Sequence, residues 1–240
     1  SASISPSLSR KATVESMIRD DLKEFRKEKR TDFQALVRKW DRVYGRASLP
    51  SLLRIAEDRK SPDSERYVAL LAHTKLRGPH DAKELLSLLD DPDWMVRSAA
   101  LKSIAVLGYS PASAKVLKVL ARDPALVIRM ESIETLMRLR PAGSADALLS
   151  EAMDGQNYRP AGFRKGRADW IPQRALAASR ELRPENYSRK LLPLLNESKD
   201  GRVRAHALFT IESLENRSLK RGRPFSERAA AWNRVLTASR

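Results

Sequence analysis

Residues 81–108 read DAKELLSLLDDPDWMVRSAALKSIAVLG. A helix with paired leucines runs into a turn rich in Asp and Pro. A second helix follows, with Val96, Ala99, Ala100, Ile104 and Leu107 on one face. That spacing is the period of an amphipathic helix, and Gly108 supplies its C-terminal stop. Neither helix can bury its apolar stripe alone, so the pair requires similar pairs as neighbours.

The neighbours are present. Aligned on the second helix of each pair, one column reads Leu70, Leu101, Ile133, Leu176 and Leu208, and another reads Leu76, Leu107, Leu139, Leu182 and Leu214. A third column, Ala69, Ala100, Ser132, Ala175 and Ala207, is small throughout, as close helix–helix approach requires. The first helices share paired apolar residues at 52–55, 85–89, 116–120 and 191–195. Chance would not keep large and small positions apart over five units. The reading is an all-α fold: a right-handed α-α solenoid of about five helix pairs, with capping helices at both ends.

Three stretches sharpen this: DDPDWMVRSAAL at 90–101, DPALVIR at 123–129 and DGRVRAHAL at 200–208. Through them residues 49–216 resemble HEAT repeats, particularly the short bacterial kind. The resemblance implies a concave face lined by the second helices, and structural contacts between repeats from the turn Asp and the Arg that follows it. Arg66, Arg97, Arg129 and Arg204 occupy that Arg column, and Pro172 departs from it.

The repeats span 47–216 in this reading. Residues 1–9 are small and polar and expected to be disordered. Capping helices occupy 10–46, the second opened by Thr31 and Gln34 as a capping box. After the repeats, 217–240 form a basic linker and a last helix capped by Ser226. The period breaks once, where about eleven extra residues fall in 154–169. That insert, DGQNYRPAGFRKGRAD, holds Arg159, Arg164, Lys165 and Arg167 with Tyr158 and Phe163 between them.

The chain has 240 residues and a formal net charge of +16. Residues 1–80 hold 18 Lys and Arg against 11 Asp and Glu, and residues 141–240 hold 19 against 11. Residues 81–140 hold 9 against 8, so the flanks are basic and the middle is nearly neutral. Such a field attracts an acidic protein, nucleic acid or anionic lipid. No run approaches the roughly 20 apolar residues of a membrane span. With no Cys there are no disulfides, thiolate metal sites or Cys nucleophiles. The chain starts SASIS without Met, which points to a removed segment and leaves the envelope as open as the cytoplasm. Oligomeric state is not encoded in the pattern.

For binding, two groups of residues stand out. Glu131, Arg174 and His206 replace apolar residues in the column beside the small one, and they would face a common ligand if that column borders the concave groove. The insert residues Arg159, Arg164, Lys165 and Arg167, with Lys220, Arg221 and Arg223 of the linker, are candidate polyanion contacts, basic residues with aromatics between them being suited to phosphate and base contact. His73, His80 and His206 lack metal-ligand spacing, and no phosphate loop, nucleophile elbow or triad motif is present. No cofactor, metal or catalytic residue is expected. The leading reading is a non-enzymatic scaffold that engages an anionic macromolecular partner, foremost a protein with an acidic surface. The alternative is nucleic-acid binding. Alkylpurine DNA glycosylases of the HEAT-like class share the architecture and use Trp, Asp and Arg on the concave face, for which Trp94, Asp93, Trp170, Asp169 and Arg174 are the available residues.

Overall fold

The computed structural model describes residues 6–28, 32–78, 82–158 and 170–238, with side chains from residue 14 onward. Among these residues the regular structure is entirely helical. The chain divides into two compact units, residues 1–119 with 123–139, and residues 120–122 with 140–240.

The first unit contains α1 (Pro6–Lys27), α2 (Phe33–Tyr44), α3 (Ser48–Glu57), α4 (Asp63–Arg77), α5 (Glu84–Leu88), α6 (Trp94–Leu107), most of α7 (Ser113–Arg122) and α8 (Leu126–Leu139). Helices α3 and α4 form one hairpin and α5 and α6 the next, and the second helices α4, α6 and α8 pack side by side. The small column makes this possible: Ala69, Ala100 and Ser132 are completely buried, so the backbones approach closely. Leu70, Leu101 and Ile133 beside them are also at 0% exposure. Each such burial stabilises the fold by roughly 1.5–3 kcal/mol. The other leucine column behaves differently. Leu76, Leu107 and Leu139 lie in or next to the last residue of their helices and are only half-buried, because the helix ends leave the packed layer.

Hydroxyls bind the second helices to one another. Thr74 donates to Ser103 at 2.6 Å, and Thr135 donates to the Leu101 carbonyl at 3.2 Å. Between successive turns runs a ladder of arginines. Arg66 donates through both terminal nitrogens to Asp91, at 3.2 and 2.5 Å, and through Nε to the Ala56 carbonyl at 2.9 Å. Arg97 holds Asp123 in turn, through Nε and one terminal nitrogen, and its other terminal nitrogen donates to the carbonyls of Asp91 and Pro92 in its own turn. The two aspartates accept backbone N–H groups as well, from Asp93 and Ala125. Each guanidinium thus fixes the turn that starts the following second helix.

The N-terminal helices extend this ladder. Arg19 of α1 donates to Asp58 at 3.2 Å, the position that Arg66 and Arg97 take on Asp91 and Asp123, and α1 packs on α3 and α4. Two boundaries differ from the sequence reading. Helix α1 begins at Pro6, not Arg10, since proline suits a first helical position. Asp32, not Thr31, caps α2, accepting from the Gln34 N–H at 2.9 Å; Thr31 lies outside the described residues. In α2 Leu36, Val37 and Trp40 are buried, while Val43 is 53% exposed.

The second unit contains α9 (Ser144–Met153), α10 (Trp170–Leu182), α11 (Tyr187–Lys190), α12 (Leu192–Glu197), α13 (Gly201–Glu215) and α14 (Phe225–Ala238). Helices α9 and α10 form a hairpin. In the next pair the first helix is split at Leu191, just before Pro193, and α13 is the second. Asp200 caps α13 through the Arg202 N–H at 2.8 Å, and Arg204 donates to the Ser198 carbonyl at 2.7 Å. Leu194, Ala207, Ile211 and Trp232 lie at 0% exposure in the shared core, so α14 closes this unit. Ser226 falls inside α14, and the Pro224 carbonyl accepts the Glu227 and Arg228 N–H groups of its first turn.

Candidate functional site

A concavity of the first unit lies on the layer of second helices. It encloses about 600 Å³ and is lined by Tyr67 of α4, by Trp94, Met95, Ser98 and Lys102 of α6, and by Val127, Met130, Glu131 and Glu134 of α8. Helical register explains the set. Ser98 and Lys102 are one turn apart on α6, as are Met130 and Glu134 on α8, so both pairs share one face. Two large apolar side chains stand in solvent on it, Trp94 at 49% exposure and Val127 at 52%.

One polar cluster forms the groove's centre. The Lys102 ammonium donates to Glu131 and, at 2.9 Å, to Ser98 Oγ, and Ser98 Oγ donates to the other Glu131 oxygen at 2.6 Å. Lys102 Nζ also lies 5.6 Å from the centre of the Tyr67 ring, within cation–π range. Partial burial works against the lysine charge, but the Glu131 carboxylate and Tyr67 outweigh it, and its pKa lies above the ordinary lysine value. The groove therefore neutralises its own central charge and presents aromatic, thioether and aliphatic surface around it. Such a surface binds by desolvation and shape.

Of the three residues in the ionisable column, Glu131 lines this groove. Arg174 and His206 belong to the second unit. There Arg174 pairs with Glu181 at 3.7 Å. His206 is half-buried on α13, and burial first, then the neighbouring Arg180, pushes its pKa below the ordinary histidine value. Arg180 also lies 6.0 Å from the centre of the exposed Phe209 ring, a contact the column alignment missed.

The insert residues Arg159, Arg164, Lys165 and Arg167 lie outside the described residues, as does Asp169. The described part of the insert is anchored to α9 by short-range bonds. Asn157 donates to the Glu151 carbonyl at 2.6 Å, and the Tyr158 hydroxyl donates to the Ala152 carbonyl at 2.6 Å. Tyr158 is thereby a packed residue. In the basic segment after α13, Lys220 and Arg221 are exposed, Arg223 is bound to Glu227 through two bonds of 2.8 and 3.0 Å, and Arg217 lies 5.5 Å from the centre of the Trp232 ring. Asp93 caps α6 through the Met95 N–H at 2.8 Å, and Trp170 is the exposed first residue of α10.

The sequence reading missed Tyr67, Lys102 and Met130 as groove residues. A signal existed in the register: Tyr67, Ser98 and Met130 align one position before the ionisable column, a ring, a hydroxyl and a thioether where a core would place aliphatic residues. Among the described residues no group of His, Asp and Glu could hold a metal ion, and no helix is long and apolar enough to cross a membrane.

No curated protein matches the chain. Residues 82–159 match the family model for HEAT repeats. This match covers the α5–α6 hairpin, the α7–α8 segment and the start of the next pair. Together with the recurring small column and the Arg–Asp ladder, it shows HEAT repeats over residues 82–159, within an all-α fold of packed helix pairs.

Proposed function

We propose that this chain is a non-enzymatic scaffold whose second-helix face holds a macromolecular partner, foremost a protein with an acidic surface, while its basic flanks speed the encounter. HEAT repeats are interaction scaffolds, and the observation that carries this reading is the groove of α4, α6 and α8. It exposes Trp94 and Val127 around an internally neutralised Lys102–Glu131 pair. Large exposed rings and aliphatic side chains grouped around a polar pair that is already satisfied are residues of the kind that dominate protein interfaces. The net charge of +16 adds long-range attraction for an acidic surface, which salt weakens.

Labelled poly-L-glutamate is titrated with the full chain across a salt series, beside mixed-sequence single- and double-stranded DNA and RNA of equal charge. Tighter binding of the polypeptide supports the reading. A steeper salt slope and tighter binding for a nucleic acid overturn it in favour of the second reading, nucleic-acid binding through the basic segments, to which Lys220 and Arg221 contribute exposed cations. In that case Arg159, Arg164, Lys165 and Arg167 changed together to Ser lower the affinity, and a glycosylase assay follows.

A further inference from the structure

The face that carries the groove continues one helical turn beyond it. Tyr67, Leu71 and Lys75 follow at four-residue steps on α4, Ser98, Lys102 and Val106 on α6, and Met130, Glu134 and Arg138 on α8. Residues at that step share a face. Thus the next row after the groove is Lys75, Val106 and Arg138, all exposed, Val106 at 65%. Lys75 is exposed, and its ammonium lies 5.3 Å from the centre of the Phe33 ring, within cation–π range. An apolar groove therefore adjoins two outward cations with an aliphatic residue between them.

We infer that this surface docks an acidic amphipathic segment of a partner protein: an apolar anchor sits against Trp94 and Val127, and carboxylates one turn along meet Lys75 and Arg138. The inference rests on the function proposed above and names the part of the partner that is recognised. Charge complementarity selects this occupant. Inside the groove Lys102 is already matched by Glu131, so the anchor has to be uncharged. Beside the groove the outward charge is positive. A nucleic acid fits less well, because a continuous phosphate run would cross Glu131 and Glu134. A basic segment would gain at Glu134 but meet Lys75 and Arg138. Two cations flanking an aliphatic residue suit spaced carboxylates on one face of a helix or strand.

The test uses the full chain and a phage-displayed library of random dodecapeptides. Selection should enrich peptides that combine Trp, Phe, Leu or Met with Asp or Glu. Synthetic copies should bind at least about tenfold more weakly to Trp94→Ser, and likewise to Val127→Ser, which guards against a folding defect at Trp94. Charge reversal by Lys75→Glu with Arg138→Glu should turn the preference toward basic peptides. Failure to enrich any peptide, enrichment of sequences without acidic residues, or undiminished binding to both groove variants overturns the inference. The poly-L-glutamate titration separates the two levels. If that polymer binds and the groove variants change nothing, only the docking surface is wrong; if it does not bind at low salt, the acidic-partner reading itself fails.

Discussion

Arg97 and Asp123, 26 residues apart, meet through two parallel bonds of 2.9 and 3.0 Å, with only 9% and 4% of their side chains exposed. Asp123 also accepts the Ala125 N–H, so the pair sets the turn ahead of α8. Removing one partner of such a pair strands the other charge in the interior, which costs about 3–5 kcal/mol. Arg97→Ala should therefore lower the unfolding free energy by about that amount in urea. Arg97→Lys should recover little of it, because a single ammonium cannot make the paired bonds. Replacing both residues by Met and Leu should cost far less than either single change.

Asp91, held by Arg66, adds a pH dependence. Burial raises its pKa, but the bonds from Arg66 and from the Asp93 N–H outweigh it, and the carboxyl titrates below the ordinary Asp value. The unfolded chain then takes up the proton first. Stability is full above the unfolded value of about 3.9 and is lost as the pH falls through it toward the folded value. Melting temperatures recorded downward from pH 6 should decline in that range, and Asp91→Asn should start lower at pH 6 and fall less steeply.

His73 acts in the same direction at higher pH. It is buried at the end of α4, and burial first, then Arg77, pushes its pKa below the ordinary value, against a weaker opposing pull from Glu84. The fold prefers the neutral ring, so stability is complete above the unfolded value of about 6.5 and decreases as the pH drops through it. His206 contributes in the same sense. Urea midpoints should fall between pH 7.5 and pH 5.5. His73→Gln should remove part of that fall, and His73→Gln with His206→Gln most of it.

The fold was legible because solenoid packing repeats one local solution. Ala69, Ala100, Ser132, Ala175 and Ala207 are all at 0% exposure, as their regular smallness requires. Gly108 has φ 61° and ψ 37° and ends α6, the left-handed stop that its place after Leu107 predicts. The second leucine column is packed less fully than its period suggests: a leucine at a helix end meets fewer neighbours, as Leu214 at 43% exposure shows. Less of the site was legible. Glu131 stood out because an ionisable residue had replaced Ala99. Lys102 did not, because a lysine on a helix surface is ordinary until the fold brings Glu131, Ser98 and Tyr67 around it. Arg19 was hidden for a related reason. It does the work of Arg66 from a helix outside the repeat period, so no column could contain it.

That placement of Arg19 bears on how the N-terminal end of the stack comes apart. Helices α1 and α2 are joined by Trp40, which is fully buried and donates from Nε1 to Asp21 at 3.0 Å, while Lys39 bonds the other oxygen of the same carboxylate. Trp40→Ala removes the largest side chain at this end and should cost about 3–5 kcal/mol. Trp40→Phe keeps most of the volume and loses the bond, and should cost about 1 kcal/mol. In a linear stack each repeat depends on its neighbours, so the damage should stay local. Native-state hydrogen exchange of Trp40→Ala should show lost protection in α1 to α3, where Arg19 no longer holds Asp58, with α6 and α8 still protected. Equal loss of protection in α6 and α8 would mean that the first unit unfolds as one cooperative block and that the Arg–Asp ladder couples its turns over the whole unit.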